Sequence, residues 1–202
     1  MAATDLLALA ECQDMLGVAG EGDLLILAGY IAAATETVDR LCGPVLAAPG
    51  GDAAVEFHDG GTSVLAVDRP PIFAVDTIVE WSSGTPTTLT AEDVTAPPYP
   101  DNGYLAYTDR GRIVRRSSGH DSAFPAGRKN VRVAYWAGRH AALAEVPERF
   151  RQACFMIVDR LWKLYQASGT STYGTDEWVP ARAVPPMVQE LLAADLRVPA
   201  VA

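Results

Sequence analysis

The sequence predicts an α+β chain: a small helical bundle with an inserted β-rich, hairpin-containing region and a C-terminal docking helix. Three observations predict it. Apolar residues recur at helical spacing near both ends of the chain, and between about 53 and 138 they alternate with period two. Of the 202 residues, 49% are hydrophobic, enough to bury a sizeable core. The longest apolar run, Leu24 to Ala34, is eleven residues, against the ~20 that a bilayer span needs, so no membrane partner is expected. The first residues carry Asp5 and Glu11 and no basic stretch, which argues against a secretory signal.

Each element follows from local chemistry. Thr4 is a fair N-cap for a helix over 5–16, and Gly17 stops it. Asp23 caps a second helix over 24–41, whose core stripe is Leu24, Leu27, Ile31, Ala34, Val38 and Leu41; Gly43-Pro44 ends it. Val55–Phe57 and Val64–Val67 flank His58-Asp59-Gly60-Gly61, a hairpin signature. Pro70-Pro71 breaks the chain before a strand over Ile72–Trp81, which turns at Ser82-Ser83-Gly84 into a weaker strand, Thr87–Thr90. After a proline-rich loop, Tyr104–Thr108 and Arg112–Arg115 form a hairpin around Asp109-Arg110-Gly111. Residues 117–130 read as a polar loop, and Val131–Trp136 is the last strand, with Val131, Val133 and Tyr135 on one face.

Pro147-Glu148 opens a helix over 147–167 with Phe150, Cys154, Ile157, Leu161 and Leu164 as its stripe; Phe155, Trp162 and Tyr165 form a second apolar edge. A linker leads to Val184-Pro185-Pro186 and a short helix with Val188, Leu191, Leu192 and Leu196 on one face. So short a helix cannot stand alone and must dock on its own domain or on a partner. The expected division is one domain over 1–168, with the β insert at 53–138, and a linker with docking arm over 169–202.

The net charge of −9 argues against a general coat for DNA or membranes. Its distribution is uneven: residues 1–50 carry −6 and residues 101–139 carry +5. The sharpest basic feature is Arg110, Arg112, Arg115 and Arg116. These arginines suit phosphate contact, a subunit interface facing the acidic N-terminal third, or a charged edge strand that resists aggregation. No stacking aromatics are interleaved with them, which weakens the nucleic-acid reading.

The search for catalytic chemistry returns little. Gly17 to Gly22 lies between two helices and lacks the Gly-Lys-Ser/Thr ending of a phosphate loop. His58, His120 and His140 have no nucleophile beside them in sequence. Cys12, Cys42 and Cys154 are widely spaced and sit among apolar residues, which fits buried thiols in a reducing compartment and not a zinc site. Glu92-Asp93 and Asp176-Glu177 are adjacent loop acids of the solvated kind. No catalytic residue, metal or cofactor is expected, although a hydrolase built on one of the histidines and a β-rich binding module are readings the sequence leaves open.

The order of motifs carries the functional signal. It runs from Asp23-Leu24-Leu25-Ile26-Leu27 and Val38-Asp39-Arg40-Leu41-Cys42-Gly43 to Leu65-Ala66-Val67-Asp68-Arg69-Pro70-Pro71-Ile72. Then come Val131 to Gly138, Val146-Pro147-Glu148-Arg149-Phe150 and Val184 to Leu192. Over residues 5–196 this order resembles the head–tail connector, or head-to-tail adaptor, family of long-tailed bacteriophages and gene transfer agents. The resemblance implies a non-enzymatic virion neck protein. It would form a dodecameric ring between the portal protein and a stopper or tail-completion protein, with double-stranded DNA passing through the lumen. It also implies a portal-contacting segment at Pro185, Pro186, Met187, Val188, Leu191, Leu192 and Leu196, and assembly from the host cytoplasm. In such a ring Glu21, Asp23, Glu36 and Asp39 would approach the lumen, and the arginine hairpin would meet a neighbouring subunit or ring. A stopper or tail-completion protein of the same neck is the alternative.

Overall fold

The structure is a computed structural model that describes residues 5–18, 20–47, 49, 51–169 and 184–196. Thr4 and the linker over 170–183 lie outside the described residues. Both helices and sheets are present, one sheet antiparallel and the other mixed, as an α+β fold allows. The chain divides into two compact units, one of residues 1–46 with 142–202 and one of residues 47–141. The C-terminal helix thus belongs to the helical unit and is not a separate arm.

The helical unit holds α1 (Leu9–Leu16), α2 (Glu21–Cys42), α3 (Glu148–Gly169) and α4 (Pro186–Leu191). Helix α1 starts four residues later than expected. Leu6 and Leu7 are buried outside it, and the Leu6 amide donates to Thr35 Oγ1 at 3.1 Å, a tertiary bond that replaces a first helical turn. Gly17 ends α1 in the left-handed conformation at φ 65°. Helix α2 starts three residues earlier than expected, capped by Gly20, so Asp23 stands in its first turn beside Glu21. Both acids there face the positive end of the helix dipole.

The α2 stripe is as expected at its centre: Leu27, Ile31, Ala34 and Val38 are fully buried, whereas Leu24 and Leu41 are half-buried at its margins. On α3 the stripe fails at its last position. Phe150, Cys154 and Ile157 are buried, but Leu164 is 55% exposed. The aromatic edge takes over there: Trp162 is buried and packs on Tyr165, whose ring meets Tyr30 edge-on at 6.5 Å.

The β unit is built from two sheets. One has the order β1 (Ala54–His58), β9 (Val131–Ala137), β3 (Ile72–Ser82), β4 (Thr85–Thr88). The other has the order β2 (Val64–Ala66), β7 (Arg112–Ser117), β6 (Gly103–Tyr107), β5 (Thr90–Ala91), with β8 (His120–Asp121) also on β7. The hairpin expected across His58–Gly61 is not formed: β1 pairs with β9 and β2 with β7. Gly60 carries the chain between sheets, and a Cβ there would fall 1.9 Å from Pro125 O. The β3–β4 and β6–β7 hairpins form as expected. Val131, Val133 and Tyr135 share the buried face of β9 with Ile78 of β3, against Leu65, Ile113 and Phe124.

Two of the quoted motifs meet in this core. The Arg69 amide donates to Tyr135 Oη at 3.1 Å, Tyr135 donates to Glu56, and the Asp68 amide reaches Glu56 Oε2 at 3.1 Å. Burial, then the bond to the Glu56 carboxylate, pushes the Tyr135 phenol well above its ordinary range. Gly138 closes the strand: its amide donates to Pro71 O at 3.0 Å, its φ is +143°, and a Cβ would sit 2.5 Å from Ala47 N. Gly138→Ala is therefore expected to destabilise the β unit by roughly 1–3 kcal/mol. Gly29→Ala, whose methyl would meet nothing within 4 Å on α2, is expected to gain up to ~1 kcal/mol. Urea unfolding of the two variants checks the opposite signs.

Candidate functional site

The four arginines of the basic hairpin separate into two kinds. Arg115 points into the β unit, and its guanidinium grips Glu80 of the facing sheet with two bonds of 2.9 Å, Nε to Oε2 and Nη2 to Oε1. A third bond of 2.9 Å runs from Nη2 to Asn102 Oδ1. Arg115 is 6% exposed and Glu80 4%. Strand β7 turns alternate residues inward, so Arg115 shares the inner side with Ile113. The charge pattern therefore misassigns Arg115: it is a tie between the sheets and is not free to meet a subunit or phosphate.

Arg116 is also largely engaged. It bonds Glu92 Oε1 at 3.2 Å and pairs with Asp121 and the Gly119 carbonyl. These hydrogen bonds, Asp121 first and then Glu92, hold its guanidinium above the usual arginine range. Arg110 and Arg112 are exposed. With Val64, Tyr107 and Val114 they line a shallow groove of about 290 Å³ on the outer side of the sheet. The groove places cationic donors beside a tyrosine and two valines, a surface suited to an acidic, partly apolar protein segment.

The C-terminal helix answers its own ambiguity. Val188 and Leu192 are fully buried in the helical core, and Leu191 is half-buried against it. Arg149 of α3 holds Asp195 through Nε at 2.7 Å. Val188 and Leu192 are thus occupied by their own chain and cannot supply a partner contact. Met187 at 63% exposure, Leu196 and Pro186 face outward, and Pro185 is half-buried.

Of the four acids on α2, Glu21 and Glu36 are exposed, while Asp23 and Asp39 are half-buried. Asp39 Oδ1 accepts the Val45 amide at 3.0 Å, so it fixes the chain just past the helix. The cysteines are buried. Burial pushes the Cys154 thiol up to about 12 and the Cys12 thiol up to about 11, so at neutral pH both stay protonated and are poor nucleophiles. His58 Nε2 lies 3.0 Å from Glu56, His120 is exposed on β8, and His140 follows β9. Among the described residues no cluster of three or more His, Cys, Asp or Glu side chains is placed to hold a metal ion.

No protein-family model matches the sequence, and no curated protein matches it. Solved structures do match its fold. A chain from the neck of an empty GTA particle, computed with C6 symmetry, superposes with TM-score 0.61 at 16% identity, covering 98% of this chain and 94% of that one. A chain from the neck of a native GTA particle, computed with C12 symmetry, gives 0.55 at 17% identity over 98% and 93%. A chain from the virion of a native gene transfer agent particle gives 0.56 at 18% identity over the same shares. This chain has their fold. The likeness runs through both units, so the β insert belongs to the shared architecture.

Proposed function

We propose that this chain is a structural neck component of a phage-like particle, a head-to-tail adaptor. It forms a homo-oligomeric ring between the portal protein and the stopper or tail proteins, and DNA passes through that ring. The observation that carries the reading is the fold likeness over 98% of the chain to neck chains computed with six- and twelve-fold symmetry. The order of motifs along the sequence supports it independently. No step of this role is enzymatic: matching surfaces are buried between copies, and weak contacts are multiplied by ring closure.

The surfaces divide the work. Met187 and Leu196 are the apolar groups of the C-terminal segment offered to the portal. Arg110 and Arg112 are offered to a neighbouring ring through the groove beside Tyr107. Glu21 and Asp23, at the amino end of α2, present negative charge toward passing phosphate, which keeps the lumen from holding DNA. Glu36 lies beside exposed apolar groups and is better matched to protein than to phosphate. The full chain assembles from the host cytoplasm.

Mass photometry of the purified chain, with projection images of the same sample and of particle necks, tests the reading. The expected result is a closed ring of six- or twelve-fold symmetry that co-sediments with portal protein. Binding to tail proteins but not to portal would favour the stopper or tail-completion alternative. A monomer at every concentration, absent from the neck, would sink the proposal.

A further inference from the structure

Among the described residues, two faces are left uncovered, an apolar sheet face and a helix face of mostly small side chains. The first is the outer side of the β1-β9-β3-β4 sheet. The pairing register places Val55 beside Ala134 and Thr77, and Phe57 beside Arg132 and Val79, with Trp81 two residues further along β3. Phe57 is 53% and Val55 46% exposed, while Val79, Trp81 and Arg132 are half-buried. Arg132 makes no ion pair among the described residues, yet it stands in the middle of this apolar row.

The second is the side of α2 turned away from the helical core. At about 100° per residue, Leu25, Gly29, Ala32, Ala33, Glu36 and Arg40 share one face, small side chains for the most part with two charged ones toward its carboxyl end. Leu25 is 81% exposed, and Ala32, Ala33 and Glu36 are all exposed. Glu36 too has no ion-pair partner among the described residues. An exposed leucine alone needs no explanation, but a whole helix face of this kind, next to an unpaired acid, does.

We infer that these two faces meet between copies: the outer sheet face of one copy receives the Leu25–Glu36 face of α2 from a second copy, an assignment that rests on the proposed ring. Three things favour a second copy as the occupant. The relief matches, because tall side chains (Phe57, Trp81) stand on the sheet and short ones (Ala32, Ala33) on the helix, which lets helix and sheet approach closely. The charges match, because Arg132 and Glu36 each make no ion pair among the described residues and would become a desolvated pair. The symmetry matches, because a ring needs two different patches on the same chain, whereas a patch that pairs with itself closes a dimer.

Variants of the full chain with one added, exposed cysteine test the inference, since the three natural thiols are buried. Leu25→Cys mixed with Phe57→Cys should cross-link on mild oxidation, either variant alone should not, and one chain carrying both should give a ladder of multimers. Arg132→Glu or Glu36→Arg should each raise the concentration needed for assembly by about tenfold or more, and the double reversal should restore it. Cross-linking of Phe57→Cys with itself would overturn the inference in favour of a sheet-to-sheet contact. If wild type and Phe57→Asp, shown folded by circular dichroism, form the same ring at the same concentration, the inference fails and the ring reading stands. If the wild-type chain never forms a ring, both fail.

Discussion

Replacing Arg115 by alanine is expected to remove about 3–5 kcal/mol of stability from the β unit. The substitution leaves Glu80, 4% exposed, as an uncompensated carboxylate between the two sheets, and it also strips Asn102 Oδ1 of its donor. The cost comes from the charge left behind more than from the attraction lost. Arg115→Met combined with Glu80→Leu should therefore recover most of it, because no buried charge remains. Arg112→Ala, three residues away on the exposed side of the same strand, should stay within about 0.5 kcal/mol. Guanidinium unfolding followed by tryptophan fluorescence measures all three, since Trp81 and Trp136 both lie in the β unit. Equal, small effects for Arg115→Ala and Arg112→Ala would show that Arg115 is a surface group after all.

That pair also shows where a sequence can be read and where it cannot. Helical periodicity is local, so the buried centre of α2 and the opening of α3 at Glu148 were visible in the residue pattern. Strand alternation is local too, and Val131, Val133 and Tyr135 were correctly placed on one face of β9. Partner choice between strands is not local. His58-Asp59-Gly60-Gly61 has hairpin chemistry, but the chain crosses there from one sheet to the other, as the pairing of β1 with β9 and β2 with β7 and the packing of Gly60 against Pro125 O show. The same limit applies to charge. A run of four arginines looks like one patch, yet the pleat sends Arg115 inward to Glu80, thirty-five residues away in sequence, while Arg112 stays in solvent. An outward sheet face made of Val55, Phe57, Val79 and Trp81 is assembled from separate segments, so no single stretch of sequence displays it.

Leu192→Ala is expected to destabilise the helical unit by about 2–5 kcal/mol, and Val188→Ala by somewhat less, because both side chains are fully buried in the helical core, where α4 packs on α3. Met187→Ala, next to Val188 but 63% exposed, should change stability by no more than about 0.5 kcal/mol. The contrast decides how portal docking has to be tested. Removing residues 184–202 takes away Val188, Leu192 and the Arg149–Asp195 pair together, so a truncated protein that fails to bind portal could have lost its core and not its docking surface. The informative variant is Met187→Asp with Leu196→Asp, which alters only outward-facing groups. Its thermal unfolding should match wild type while its co-sedimentation with portal falls at least tenfold, a loss on the order of 1.4 kcal/mol or more. Wild-type binding by that variant would move the portal contact off the C-terminal segment. The structural role of α4 in closing the helical core would be untouched, because that role rests on Val188, Leu191, Leu192 and the Arg149–Asp195 pair, which the variant leaves in place.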